Sequence, residues 1–262
     1  MTDRRLPNDV PPPATPLTVR RVFTVWWPLA GSWLLMGVEM PMLTMAMTRM
    51  PGGDPHLAAI GSLVYPLSIL IEAPIIMLLA ASTALVKDLA THARLLRFAH
   101  GASALLTIAH VAVAFTPLFD WVVLDVIGAP VETLEPGRTG MQLMTPWTWA
   151  IGYRRFQQGV LIRCGRSDLV GVGTIIRLAA NLTVLATGLI VGSWPGIVVG
   201  TCAISCGVLA EAAWAGWCFR WAARPKLPAT PQGRVLSWHA FTAFYAPLAF
   251  TPIITIVIQP LG

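Results

Sequence analysis

The sequence predicts an all-α integral membrane protein: a six-helix transmembrane bundle followed by the start of a seventh helix. Three observations predict it. Hydrophobic residues make up 55% of the 262 positions and charged residues only 11%, against roughly a quarter charged in a soluble domain. The apolar residues gather in runs of about 20 or more, the length that a hydrocarbon core of roughly 30 Å imposes on a helix. Lysine and arginine fall on one side of those runs, as they do where the bilayer sets topology.

Residues 1–19, with Pro11-Pro12-Pro13 and Arg4 and Arg5, lack the apolar stretch and cleavage site of a secretory signal and read as a disordered cytosolic tail. Residues 20–222 form the six-helix lobe. Its spans run Val22 to Met47, Leu57 to Val86, Phe98 to Leu118, Thr139 to Ile162, Leu169 to Gly192 and Pro195 to Ala222. The fourth is the least apolar. It holds Gln142, Tyr153, Arg154, Arg155, Gln157 and Gln158, a polar density tolerated at membrane depth only against protein or a water-filled cavity. Between the third and fourth spans, Phe119 to Ile127 is too short to cross and reads as an amphipathic helix in the outer interface.

Placing the N-terminus in the cytosol puts Arg4, Arg5, Arg20, Arg21, Lys87, Arg94, Arg97, Arg154, Arg155, Arg163, Arg166, Arg220, Arg224, Lys226 and Arg234 inside, and only Arg49 and Arg138 outside. The bias holds along the whole chain, so the expected location is the inner or plasma membrane, multi-pass, with the N-terminus cytosolic. Topology also accounts for the formal charge of +6. The basic residues lie between apolar runs and form no single patch, which argues against nucleic acid as a partner.

Residues 223–236, with Pro225, Pro228, Pro231 and Gly233, have linker composition. Beyond them, Tyr245-Ala246-Pro247-Leu248-Ala249 echoes Trp26-Trp27-Pro28-Leu29-Ala30, and a second proline follows 13 residues later in each copy, at Pro260 and Pro41. The recurrence suggests two similar halves, a common way to build transporters. On this reading residues 237–262 are the first helix of a truncated second lobe.

Three acids fall at membrane depth: Glu39, Glu72 and Glu211. A carboxylate near the bilayer centre costs on the order of 2.5 to 3.5 kcal/mol on translocon scales, so each should face the bundle interior. Glu39-Met40-Pro41 and Glu72-Ala73-Pro74 share a pattern. The prolines free the carbonyls of Gly37 and Leu70, and a carboxylate beside such an oxygen suits a coupling H⁺ or Na⁺, the only cofactor expected. The alternative is a kink with a neutral glutamic acid bonded to a neighbouring helix.

Arg177 lies roughly 12 Å along the fifth span, with Asn181 one turn above and Thr174 one turn below. Two readings stand: a side chain snorkelling to the inner interface, or an anion-binding face on which Arg177 offers a fork of donors to carboxylate or phosphate. Gln142, Thr145, Trp149, Tyr153 and Gln157 share one face of the fourth span, either lining a cavity or joining helices. Arg154, Arg155, Arg163 and Arg166 mark the inner end of that span or the cytosolic mouth of an anion pathway.

Cys164, Cys202, Cys206 and Cys218 lie in or beside apolar runs without neighbouring His or carboxylate to complete a zinc site, and read as packing residues. His110 reads as a satisfied core histidine. The sequence contains no H-E-x-x-H, G-x-S-x-G or P-loop, so it carries no enzyme signature.

Taken together, several stretches resemble the multidrug and toxin extrusion superfamily, and within it most nearly the progressive ankylosis family. They are Trp27-Pro28-Leu29-Ala30, Ile71-Glu72-Ala73-Pro74 with Ser82-Thr83-Ala84-Leu85-Val86, Phe115-Thr116-Pro117-Leu118, Val126-Ile127-Gly128, and Tyr153-Arg154-Arg155-Phe156-Gln157-Gln158-Gly159-Val160-Leu161-Ile162-Arg163. The resemblance implies one lobe of a two-lobed, twelve-helix exporter working by alternating access, with a missing C-terminal lobe as partner. It implies a small organic or phosphate-bearing anion as solute, citrate, pyrophosphate or nucleotide-like, or in the drug-exporting branch a cationic drug exchanged for Na⁺ or H⁺. Glu39 could match the helix 1 acid of that branch. In the second copy Ile258 beside Gln259 stands at that place, without a parallel acid. With these go ion-coupling roles for Glu39 and Glu72 and solute-binding roles for Arg177, Asn181, Tyr153, Gln157 and Trp149. A membrane scaffold or lipid-handling protein, whose polar positions merely join helices, is the reading from a different class.

Overall fold

The computed structural model describes residues 18–231 and 237–258. The expected tail up to residue 17, the linker centre at 232–236, and Gln259 and Pro260 lie outside them. The described residues are helical with short connections. α1 (Val19–Met47) carries Pro28 and Pro41 within it. The second rod is built from α2 (Gly53–Ala59), a π-helical turn (Ile60–Val64), α3 (Tyr65–Ile76) and α4 (Leu78–Leu85). The π turn falls just before Pro66, whose ring displaces the carbonyl of Ser62 and whose missing N–H leaves it without an α-helical donor. α5 (Leu89–Phe115) starts at Asp88, whose carboxylate accepts the Thr91 N–H at 2.7 Å and so satisfies one of the orphan donors of the first turn.

α6 (Leu118–Asp120) continues as a π-helical segment (Trp121–Ile127). Phe119 and Val123 point inward while Trp121, Leu124, Val126 and Ile127 are exposed, an amphipathic pattern suited to an interface. A short 3-10 turn (Val131–Thr133) leads to α7 (Leu134–Leu143) and, across Met144, to α8 (Thr145–Arg163). α9 (Ser167–Val191) ends at Gly192, where φ is +69° and a glycine is favoured. α10 (Gly196–Cys218) runs on through a π turn (Phe219–Ala223) and a 3-10 turn (Arg224–Lys226), and α11 (Trp238–Ile258) is the last helix.

Five of these rods are long and apolar enough to cross a membrane: Val22–Met47, Gly53–Leu85, Leu89–Phe115, Ser167–Val191 and Gly196–Lys226. The helix expected as the fourth crossing is not among them. Its arginines and glutamines lower its hydropathy, and it has little need of an apolar surface because protein surrounds it. α8 packs on α4, α5 and α10, while α9 lies between α1 and α10. Helix surfaces turned away from the bundle carry large exposed apolar side chains, among them Trp33, Leu34, Leu105, Ile108, Leu182 and Ile190. Water would penalise such a surface; lipid does not.

α11 folds back along α3 and α5. Tyr245 donates to the carbonyl of Pro74 at 2.5 Å, and Phe98 packs edge-on against both Phe241 and Tyr245.

The buried apolar residues form two clusters. One, toward the end where α1 finishes (the far end), includes Leu43, Met47, Leu63, Trp147, Leu185 and Ile197. The other, toward the end where α1 starts (the near end), includes Ile75, Leu78, Phe156, Val160, Leu169 and Cys218. In five rods an ionisable residue stands at or near the boundary between the clusters: Glu39, Glu72, Arg154, Arg177 and Glu211. The bundle is thus two apolar cores separated by a polar layer.

Candidate functional site

The layer is assembled from residues far apart in the chain. Glu39 of α1 faces α9, where Thr174, Arg177 and Asn181 share one buried face. Arg177 donates to both carboxylate oxygens of Glu39, from Nε to Oε1 at 3.1 Å and from Nη2 to Oε2, in the forked geometry that favours arginine over lysine. Asn181 adds a third donor to Oε1 at 2.5 Å. Snorkelling of Arg177 is thereby excluded: it lies ten residues into α9, about 15 Å from its start, only 2% exposed and paired in place. Glu39 accepts from α9 donors, so its partner is a guanidinium and not the carbonyl that Pro41 frees.

A second pair lies beside the first. Arg154 Nη1 donates to Oε2 of Glu211, and Gln158 Nε2 donates to Oε1 at 2.8 Å. Arg154 is fully buried at the middle of α8, which corrects its placement at the inner end of that helix. The error came from reading Arg154 and Arg155 as one charge run; consecutive helical residues point about 100° apart and need not share a fate. Arg177 Nη1 stands 3.9 Å from Glu211 Oε2, joining the two pairs into one chain: Glu39, Arg177, Glu211, Arg154.

The helices approach closely enough for these bonds because small residues line their contacts. A Cβ on Gly207 of α10 would lie 1.8 Å from Oδ1 of Asn181, and one on Gly159 of α8 would lie 2.3 Å from the backbone oxygen of Leu79 in α4. A larger residue at Gly159 would have to move a backbone, and one at Gly207 would have to push the Asn181 amide off its bond to Glu39.

A small cavity of about 50 Å³ opens on this layer, lined by Arg154, Arg155, Gln158, Thr174 and Glu211 with Ser32 and Trp33 of α1 among its walls. Among the described residues Arg155 makes no hydrogen bond or ion pair, and its Nε is buried without a partner. The cavity therefore presents one uncommitted guanidinium beside an ion pair, an arrangement suited to an oxyanion of one or two charges.

Comparison of the chain with family models, with curated proteins and with solved structures finds no match.

The other candidate residues fall around the layer. Glu72 of α3 is 3% exposed and close enough to feel the charges of Arg154 and Arg155, yet its Oε2 has no partner and it forms no ion pair among the described residues. Gln157 is buried beside His92, with its own Oε1 unpaired, and is not among the groups bonded to Glu211. Trp149 and Tyr153 stack on each other and on His100, with Trp149 38% exposed at the bundle surface. Tyr153 also packs on Gly216. Neither ring meets the ion pairs, so the polar-aromatic face of α8 splits between helix contacts and surface. Arg163 donates to the carbonyls of Thr83 and Ala84 at the end of α4, and Arg166 pairs with Asp168. His110 is satisfied by Thr148 at 2.8 Å and the Met141 carbonyl at 2.9 Å, as a core histidine should be. Sequence reasoning did not select Arg154, Gln158 and Glu211 as a group. The i, i+4 spacing of Arg154 and Gln158 on a helix already suspected of burial was the available signal.

Proposed function

We propose that the chain is the N-terminal lobe of a secondary active transporter of the multidrug and toxin extrusion type, crossing the membrane six times from a cytosolic N-terminus, with α7 and α8 as the fourth crossing and α11 opening a second lobe. Its solute on this reading is a small organic or phosphate-bearing anion, exported by alternating access. The observation that carries the reading is Arg155: a guanidinium that forms no ion pair among the described residues, its Nε buried without a partner, at the edge of a cavity inside a layer where the other two arginines are paired. Arg155 is half-buried, and holding its charge there without an ion pair is unfavourable, which a permeating anion would offset. The layer holds three arginines against two paired carboxylates and Glu72, so with Glu72 in its neutral form it has room for one negative charge.

A second reading, exchange of a cationic drug for Na⁺ or H⁺, draws on Glu72, whose buried oxygen without a donor is a place for a proton or cation. Transport into inside-out vesicles containing the protein separates the two. Movement of labelled pyrophosphate or citrate that Arg155→Ala abolishes, with a cationic dye unmoved, supports anion export. Dye movement lost in Glu72→Gln and retained in Arg155→Ala supports the antiporter, and movement of neither solute favours a scaffold.

A further inference from the structure

Glu211 occupies the position that an anionic solute would need. Its two oxygens are held by Arg154 and by Gln158 at 2.8 Å, and all three side chains line the same cavity as Arg155. A second guanidinium already waits for Glu211: Arg177 Nη1 is 3.9 Å from Oε2, too long for a hydrogen bond and short enough to close with a rotamer adjustment. Gly173 of α9 lies against the Glu211 side chain, a Cβ there meeting its Cγ at 3.3 Å, so the wall toward α9 is low where the carboxylate would swing. The polar groups needed to receive a carboxylate or phosphoryl group, two arginines, an amide and the Thr174 hydroxyl, line that same cavity.

We infer that Glu211 is a resident stand-in for the solute, and that Arg154, Arg155 and Gln158 form an oxyanion subsite from which a carboxylate or phosphoryl group displaces it toward Arg177. The inference rests on the anion reading above and deepens it by naming the groups that hold the charge. Exchange of one anion for another on Arg154 keeps that arginine paired in both states, so the exchange leaves no charge stranded on it. Glu211 then sets affinity by competition. At about 50 Å³ the cavity takes one oxyanion group and not a whole nucleotide, so the remainder of a larger solute extends outside it.

The test is a binding measurement on the purified protein in nanodiscs of phosphatidylcholine, with pyrophosphate and citrate as probes and titration calorimetry as readout. Glu211→Gln removes the competitor and is expected to tighten binding by about tenfold or more. Glu211→Asp, which keeps the charge but shortens its reach, is expected to tighten it less, and Arg155→Gln to weaken it by about tenfold or more. Among the described residues Arg155 has no hydrogen-bond or ion-pair partner to lose, so its variant stays informative if the Glu211 variants unfold. Wild-type affinity in Arg155→Gln, wild-type or weaker affinity in both folded Glu211 variants, or no binding of either probe overturns the inference. If these changes fail while pyrophosphate is still transported, the subsite falls and the transport reading stands. If phosphatidylglycerol added to the nanodiscs competes with the probe, and Arg155→Gln abolishes that competition, the subsite stands with a lipid headgroup in it and soluble-anion export falls.

Discussion

Arg177 closes on Glu39 across 138 residues of sequence, its guanidinium donating to both oxygens of the carboxylate. This pair fastens α1 to α9 within the polar layer, where both ions have given up their hydration. Removing one partner strands the other. Glu39→Gln or Arg177→Met alone is expected to cost about 3–5 kcal/mol. The double variant should recover much of that loss, because neither side chain is then a stranded charge and the amide introduced by Glu39→Gln keeps Asn181 as a neighbour. Reversible unfolding of the three variants in mixed micelles measures the coupling, and additive losses would show that the two residues act independently.

Gly207 supports the same pair from the other side of α9. An alanine there would drive its Cβ into the Asn181 amide, whose Nδ2 holds Glu39. Gly207→Ala is therefore expected to destabilise the protein by about 1–3 kcal/mol, the range for overpacking a filled site. In an Asn181→Ala background, where the obstructing amide is gone, the same substitution should cost less. Equal costs in both backgrounds would mean that Asn181 is not what Gly207 makes room for.

The six-crossing arrangement can be read chemically. With Cys164, Cys202, Cys206 and Cys218 replaced by alanine, cysteines at Thr48, Asp125 and Ser193 should react with an impermeant maleimide from outside the cell. Cysteines at Lys87, Asp168 and Lys226 should react from inside only. Labelling of positions 125 and 168 from one and the same side would remove α7 and α8 from the list of crossings.

Docking of α11 depends in part on one hydroxyl. Tyr245→Phe removes the donor to the Pro74 carbonyl but keeps the ring against Phe98 and Phe241. The expected loss is about 0.5–1.5 kcal/mol, the net contribution of one hydrogen bond. Its checkable sign is faster amide exchange in 238–258 with exchange in α9 unchanged.

Much of the fold was legible in the sequence because lipid enforces long apolar runs, and five of the expected crossings return as rods of the required length and hydropathy. Burial of Glu39, Glu72 and Glu211 was legible for the same reason, and the periodicity of Thr174, Arg177 and Asn181 placed them on one face. Partnership was not. Nothing local to Arg177 says that its counter-ion lies on α1, because the pairing follows from helix order in the bundle. Arg154 misled because two adjacent arginines look like a membrane boundary, and only the surroundings of α8 reveal one of them as a core residue. The aromatic positions Trp149 and Tyr153 share the helical face expected of them, but a shared face does not say whether it meets a cavity, a helix or lipid.

The placement of the charged layer between two apolar cores has a consequence for how the molecule responds to its medium. Mobile ions screen charges over about 8 Å at physiological ionic strength, and they do so only where they can approach. Glu39 and Arg177 are sealed from them by side chains above and below. Their coupling should therefore stay constant from dilute buffer to about 1 M sodium chloride, whereas the contact between Arg166 and Asp168 at the helix end fades with added electrolyte. The Glu39–Arg177 pair, which does not line the cavity, is thus insulated from the changing ionic composition on either side of the membrane, whereas the cavity-facing charges are not.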